Sequence, residues 1–116
     1  MDKRHRLRIE TIQNLFASSF NLPNNMPYPD NQTTGEVLKH LAEIDAKIQE
    51  HAPKFPVDRI AKTDLMILRL AIYELMIEKK EPEKVIINEA VELAKEFGGE
   101  RSYAFVNAVL GKLVKK

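Results

Sequence analysis

The residues able to do chemistry are few, and their spacing argues against catalysis. His5, His40 and His51 are scattered. The last two stand eleven apart on or near one expected helix, a pattern shown more often by solvated histidines than by metal ligands. Glu74/Glu78 and Glu89/Glu92 could be offered as acid/base pairs. Spacings of four and three put each pair on one helix face, where carboxylates usually meet solvent. Gly98-Gly99 lacks the flanking strand and the lysine of a phosphate-binding loop. The absence of cysteine excludes disulfides, thiol catalysis and Cys-ligated metal. No enzyme, cofactor or metal is therefore expected. The remaining candidate is a basic cluster, Lys3, Arg4, His5, Arg6 and Arg8, at the start of a helix. Positive charge there opposes the helix dipole at roughly a few tenths of a kcal/mol per exposed residue. Either this is a solvated helix end, or something outside helix stability favours it.

The elements that must position such residues centre on Thr63–Glu78, where eleven of sixteen residues are apolar. Leu65, Leu68, Ile72 and Met76 form one stripe, and Met66, Leu70, Tyr73 and Ile77 another, so other helices must enclose this one. Asp64, Glu74 and Glu78 fall on a narrow strip expected to face water. Arg69 falls among apolar positions and needs a carboxylate or an outward path for its stem. Asp64 reads as a first-turn carboxylate that favours the helix dipole.

Around this axis, residues 3–20 form a first helix with Ile9, Ile12, Phe16, Phe20 and Leu15 inward. Residues 21–34 hold three of the six prolines and four asparagines, and read as a loop that Met26 and Tyr28 pin to the body. One helix should run from a Thr34 cap to near Pro53, burying Val37, Leu41, Ile44 and Ile48. A short turn containing Ile60 should follow, capped by Asp58. Pro82 opens a helix that buries Ile86, Ala90, Leu93 and Phe97, and Gly98-Gly99 closes it, one glycine being suited to a left-handed conformation. The last helix starts near Arg101 or Ser102 and buries Val106, Val109, Leu110 and Leu113, with Lys112, Lys115 and Lys116 complementing its C-terminal dipole.

The expected fold is all-α, a compact bundle of N-terminal helices packed on a C-terminal sub-bundle around 63–78. The whole chain, 1–116, makes one domain, with sub-bundles at about 1–55 and 56–116. A net charge of +1 announces no nucleic-acid binder, so that role would need local clustering. No signal peptide or membrane span is expected, and the chain reads as soluble and cytoplasmic.

Three segments resemble the NusB family of bacterial transcription antitermination factors. They are RHRLRIETIQNLF at 4–16, then ID at 44–45 with RIAKTDLMILRLAIYEL at 59–75, and KVIINEAVELAKEFGGERSYAFVNAVLGKL at 84–113. Within them lie Gln13-Asn14-Leu15-Phe16, Leu68 through Leu75, Ile87-Asn88-Glu89-Ala90, and Phe105-Val106-Asn107-Ala108-Val109-Leu110. The chain departs from the family where a further helix usually follows the first and only the Pro/Asn-rich loop stands, so a shortened N-terminal half is expected. Ile9 and Arg101 replace commonly acidic residues, and His5 interrupts the basic run.

The resemblance implies an RNA-binding adaptor that pairs with NusE, a small-subunit ribosomal protein, and binds boxA-type single-stranded RNA of ribosomal RNA leaders. It also implies indirect association with other Nus factors and RNA polymerase. It makes Lys3, Arg4, Arg6 and Arg8 candidates for phosphate contact. Tyr103 and Phe105 become candidates for base stacking, with Ser102 and Lys112 beside them. Phe105 has core packing as its alternative. Arg69 is expected to pair with a carboxylate, Glu89 being one candidate, and Glu74/Glu78 is an acidic edge for NusE. Two other readings stay open. One is the RNA-gripping domain of a ribosomal RNA methyltransferase; the other is a helical interaction module or homodimer without an RNA role.

Overall fold

The computed structural model describes residues 2–20, 26–52 and 56–115, and among these it is helical with no strand. Residues 21–25, Pro53 and Lys116, used above to place the loop, a helix end and a dipole contact, lie outside the described residues. The helices are α1 (Lys3–Ser18), α2 (Gln32–Lys39), α3 (Leu41–His51), α4 (Lys62–Tyr73), α5 (Glu83–Phe97) and α6 (Ser102–Val114). A 3-10 turn at Val57–Arg59 leads into α4, and a π-helical turn at Glu74–Glu78 extends it.

The apolar girth of the central segment has the expected consequence, since α4 packs against each of the other five helices. Met66, Ile67, Leu68 and Ile72 are almost wholly enclosed. Each such side chain stabilises the fold by about 1.5–3 kcal/mol relative to exposure. Two polar positions depart from expectation. Asp64 and Glu74 are buried rather than facing water, and only Glu78 of that strip is partly exposed. The π-helical turn ends at Lys79, whose N–H reaches the Glu74 carbonyl at 2.9 Å and whose φ of 54° stops the helix. The wider turn leaves Met76 exposed, although the stripe had placed it in the core.

Arg69 has a carboxylate partner, but it is Asp45 rather than Glu89. Arg69 Nε and Nη2 donate to the two Asp45 oxygens at 2.9 and 2.8 Å, a bidentate clamp between α4 and α3. Glu89 is turned instead toward α1.

The single helix expected from Thr34 onward is two. Asn31, not Thr34, caps α2, its Oδ1 accepting from Thr34 N at 3.0 Å. The chain breaks at His40 (φ −105°, ψ 17°), and the two helices separately bury Val37 and Ile44/Ile48, leaving Leu41 half-buried. An eight-residue helix thus begins inside the segment read as loop. The described part of the Pro/Asn stretch, at Tyr28 and Asn31, is held by polar side chains of α1. Asn14 Nδ2 donates to the Tyr28 carbonyl (2.8 Å) and Thr34 Oγ1 (2.9 Å), while Asn14 Oδ1 accepts from Tyr28 N (2.9 Å). Asn31 Nδ2 adds a bond to Thr11 Oγ1 at 3.0 Å. These buried groups satisfy one another, so the pin is the Tyr28 backbone rather than its exposed ring.

Asp58 lies inside the 3-10 turn and does not cap it; Pro56 holds the cap position. α5 and α6 pack closely across Gly98-Gly99, and neither glycine has positive φ. Gly98 is required for close approach instead. A Cβ there would meet Ser102 Cβ and Oγ at 2.5 Å and the Ala94 carbonyl at 2.7 Å.

Candidate nucleic-acid and partner interface

Asp2 caps α1 by accepting from Arg4 N at 3.2 Å, and the basic residues then distribute by helical angle. Arg8 shares its face with Ile12 and Leu15, four and seven residues on, and is carried into the interior at 7% exposure. Its Nε and Nη2 donate to the Glu74 carboxylate at 2.9 and 2.7 Å, and Nη2 also meets Glu81. Burial opposes the Arg8 charge, but the bonds and fields of Glu74 and Glu81 outweigh it and raise the guanidinium pKa. Burial pushes the Glu74 carboxyl up against the pull of Arg8, and Glu78 and Glu81 add to the rise. Arg8 is therefore an internal structural cation and leaves the set of phosphate contacts. Glu74, locked beneath it, leaves the acidic edge offered for NusE.

Arg4 and His5 flank this buried face. Arg4 is largely exposed and pairs with Glu81. His5 lies between Glu89 (Nδ1, 2.9 Å) and Glu96 (Nε2, 3.2 Å) of α5. The bond to Glu89, with that to Glu96, raises the imidazole pKa above its ordinary value despite partial desolvation. Lys3 and Arg6 point outward, and no ion pair involving them is found among the described residues.

The outer face of α1 continues from Arg6 through Ile9 and Gln13 to Phe16 and, in the following turn, Phe20. Phe16 and Phe20 were expected inside, yet they are 37% and 50% exposed and meet edge-to-face, with centroids 5.2 Å apart. Lys62 Nζ stands 4.7 Å from the Phe20 centroid. Phe97, also expected inside, is 40% exposed. It lines an apolar cleft of about 220 Å³ with Ile9, Ile12, Gln13, Phe16 and Thr63. One residue along α4, Asp64 borders a second cleft, of about 170 Å³, with Arg59, Ile60, Ala61 and Phe105. Asp64 is 8% exposed, and its Oδ1 has no hydrogen-bond partner among the described residues. A buried carboxylate oxygen is costly to leave without a donor, so Asp64 stands apart from the other buried polar side chains.

The α6 candidates do not form one cluster. Tyr103 and Lys112, nine residues apart, project to opposite sides of the helix. Tyr103 is 45% exposed, with Lys95 Nζ 5.5 Å from its ring. Phe105 is half-buried against the core beside Asp64. Ser102 is buried, its Oγ accepting from Gly99 N at 2.8 Å, and so serves the α5–α6 turn. Lys112 lies across the molecule, in a cleft with Lys47, His51 and Met76.

Sequence reasoning missed the exposed aromatic face and the unsatisfied Asp64. Periodicity marks a stripe as apolar without saying whether this chain or another covers it. Among the described residues, no group of three His, Asp or Glu side chains is placed to hold a metal ion.

Among the described residues, five helices enclose the apolar α4, with a cationic helix end and open apolar clefts on the surface of an all-α domain. The chain belongs to the NusB family, which matches it over residues 6–115. It is 40% identical over 131 residues to the transcription antitermination protein NusB of Lactiplantibacillus plantarum, covering 97% of this chain and 94% of that protein. It is 53% identical over 76 residues to the Agathobacter rectalis NusB, covering 66% of this chain and 58% of that protein. The fold matches T. maritima NusB with a TM-score of 0.87 at 30% identity, over 99% of this chain and 92% of that one. It also matches a structure of the antitermination factors NusB and NusE in complex with dsRNA, with a TM-score of 0.74 at 23% identity and 97% of each chain. Membership of this family agrees with the expectation of a non-enzyme. No helix among the described residues is long and apolar enough to cross a membrane.

Proposed function

We propose that the protein is a cytoplasmic antitermination adaptor that binds boxA-type single-stranded RNA of ribosomal RNA leaders jointly with NusE. One observation carries the reading. The outward face of α1 presents cations at its amino end and exposed aromatics about 15 Å further along. Cations track phosphates and aromatic faces stack bases or anchor a protein partner, so the two ends suit two tasks.

Lys3, Arg4 and Arg6 take phosphates, and of the two stacking candidates on α6 Tyr103 is better exposed than Phe105 for a base. The clefts at the start of α4 take NusE. Phe16, Phe97 and Phe105 supply the apolar contact, and Asp64 receives a lysine, arginine or backbone N–H from the partner. The presence of NusB, NusE and RNA in one solved complex of this fold supports joint binding.

Titrating a labelled boxA-type RNA, with and without NusE, tests the reading. Weak binding alone and tighter binding with NusE are expected. No binding under either condition overturns the proposal. In the same assay Asp64→Ala should lower NusE affinity by about tenfold or more, and unchanged affinity moves the docking face elsewhere.

A further inference from the structure

An open cleft of about 230 Å³ lies where α1 meets the end of α4, lined by Arg4, Arg8, Glu74, Glu78, Lys80 and Glu81 among others. Its central contact is Glu81. One carboxylate oxygen of Glu81 meets Arg4 and the other meets Arg8. The two arginines are unlike. Arg8 is enclosed and already held bidentately by Glu74, so it stays in place whatever Arg4 does. The Arg4 side chain is 67% exposed, whereas that of Glu81 is 8% exposed. A guanidinium carries five N–H donors, and of those on Arg4 only Nη1 is engaged with Glu81.

Charge decides what this arrangement does. In the cleft, Glu74, Glu78 and Glu81 offset Arg4, Arg8 and Lys80, so an arriving anion meets no net attraction. Carboxylate and phosphate oxygens compete for the same arginine donors. We propose that the cleft is a gated phosphate subsite, in which Glu81 withholds Arg4 until an RNA phosphate exchanges with it and is shared with Lys80. Glu81 is thereby a positioning residue that sets how much of the cationic face RNA can use. The inference rests on the reading that the chain binds RNA.

The test is RNA titration of the full chain, with NusE, across a salt series. Glu81→Gln keeps the shape and removes the competing charge. It should raise low-salt affinity by about 1.5- to 5-fold, the factor an exposed ion pair of ordinary strength holds back. The log–log salt slope should steepen by about 0.7, as for one more phosphate contact on a single strand. Most of the gain should vanish in Arg4→Ala/Glu81→Gln. A general loosening of the fold would not produce that dependence on Arg4. If Glu81→Gln melts below the assay temperature, Glu81→Asp, with a shorter reach to Arg4, carries the same expectation. Wild-type binding with no gain in the Glu81 variant, or the same gain without Arg4, overturns the gate and leaves the functional reading intact. Failure of the wild-type chain to bind RNA overturns both.

Discussion

Arg8→Ala separates an internal cation from a phosphate contact. The substitution leaves Glu74, 7% exposed, without its bidentate partner, and removes a cation that meets Glu81. Removing one member of a buried ion pair costs about 3–5 kcal/mol, because the remaining charge is uncompensated. For a chain of 116 residues each kcal/mol lowers Tm by roughly 4 °C, so a fall of about 12–20 °C is expected. Thermal and urea denaturation monitored by far-UV circular dichroism would measure it. Arg8→Met with Glu74→Leu replaces the pair by apolar side chains of similar volume and should recover most of the loss. Below the variant's Tm, its RNA affinity should stay close to wild type. A melting point within about 4 °C of wild type, together with lost RNA affinity, would return Arg8 to the binding face.

Three further outcomes follow from the same geometry. The His5 pair with Glu89 and Glu96 should make stability depend on pH. Its raised pKa means that this contribution is complete below the unfolded-state value, about 6.5, and is lost as pH rises through the higher folded-state value. The Tm gap between wild type and His5→Gln should therefore be wider at about pH 5.5 than at about pH 8.5; a constant gap would contradict it. Arg69→Ala should cost about 1.5–3 kcal/mol in urea denaturation by breaking the clamp on Asp45. Arg69→Lys should recover only part of that, since an ammonium cannot reproduce the bidentate fork. Gly98→Ala should lower stability by about 1–3 kcal/mol through collision with Ser102 and the Ala94 carbonyl, and a neutral thermal melt would show that the turn relaxes freely.

The axis was legible in the sequence because a helix apolar on most sides admits only one environment, and α4 occupies it. Other features turned on where helices meet. Arg69 announced a need for a carboxylate, but choosing Asp45 over Glu89 required the packing of α3 on α4. Arg8 looked like one cation among several. Its spacing from Ile12 and Leu15 was the available sign of burial, obscured by the charges beside it. Phe16, Phe20 and Phe97 met the helical period as well as Leu15 and Leu93 do. Apolar character alone does not distinguish a core residue from one exposed on a docking face. The break at His40 was hidden because Val37, Leu41, Ile44 and Ile48 keep helical spacing across it. Asp64 reads locally as a favourable first-turn acid, and only its burial beside Arg59, Ile60, Ala61 and Phe105 sets its Oδ1 without a partner among the described residues.

If the outward cations of α1 take RNA phosphates while the buried Arg8 holds the fold, removing the outward ones changes binding and not stability. The most direct measurement is the salt dependence of RNA affinity for wild type and Lys3→Ala/Arg6→Ala, both with NusE present. The double variant should melt as wild type does, bind more weakly, and show a log–log slope shallower by about 1.4, the loss of two single-strand phosphate contacts. An unchanged affinity and slope in a folded double variant would contradict the claim.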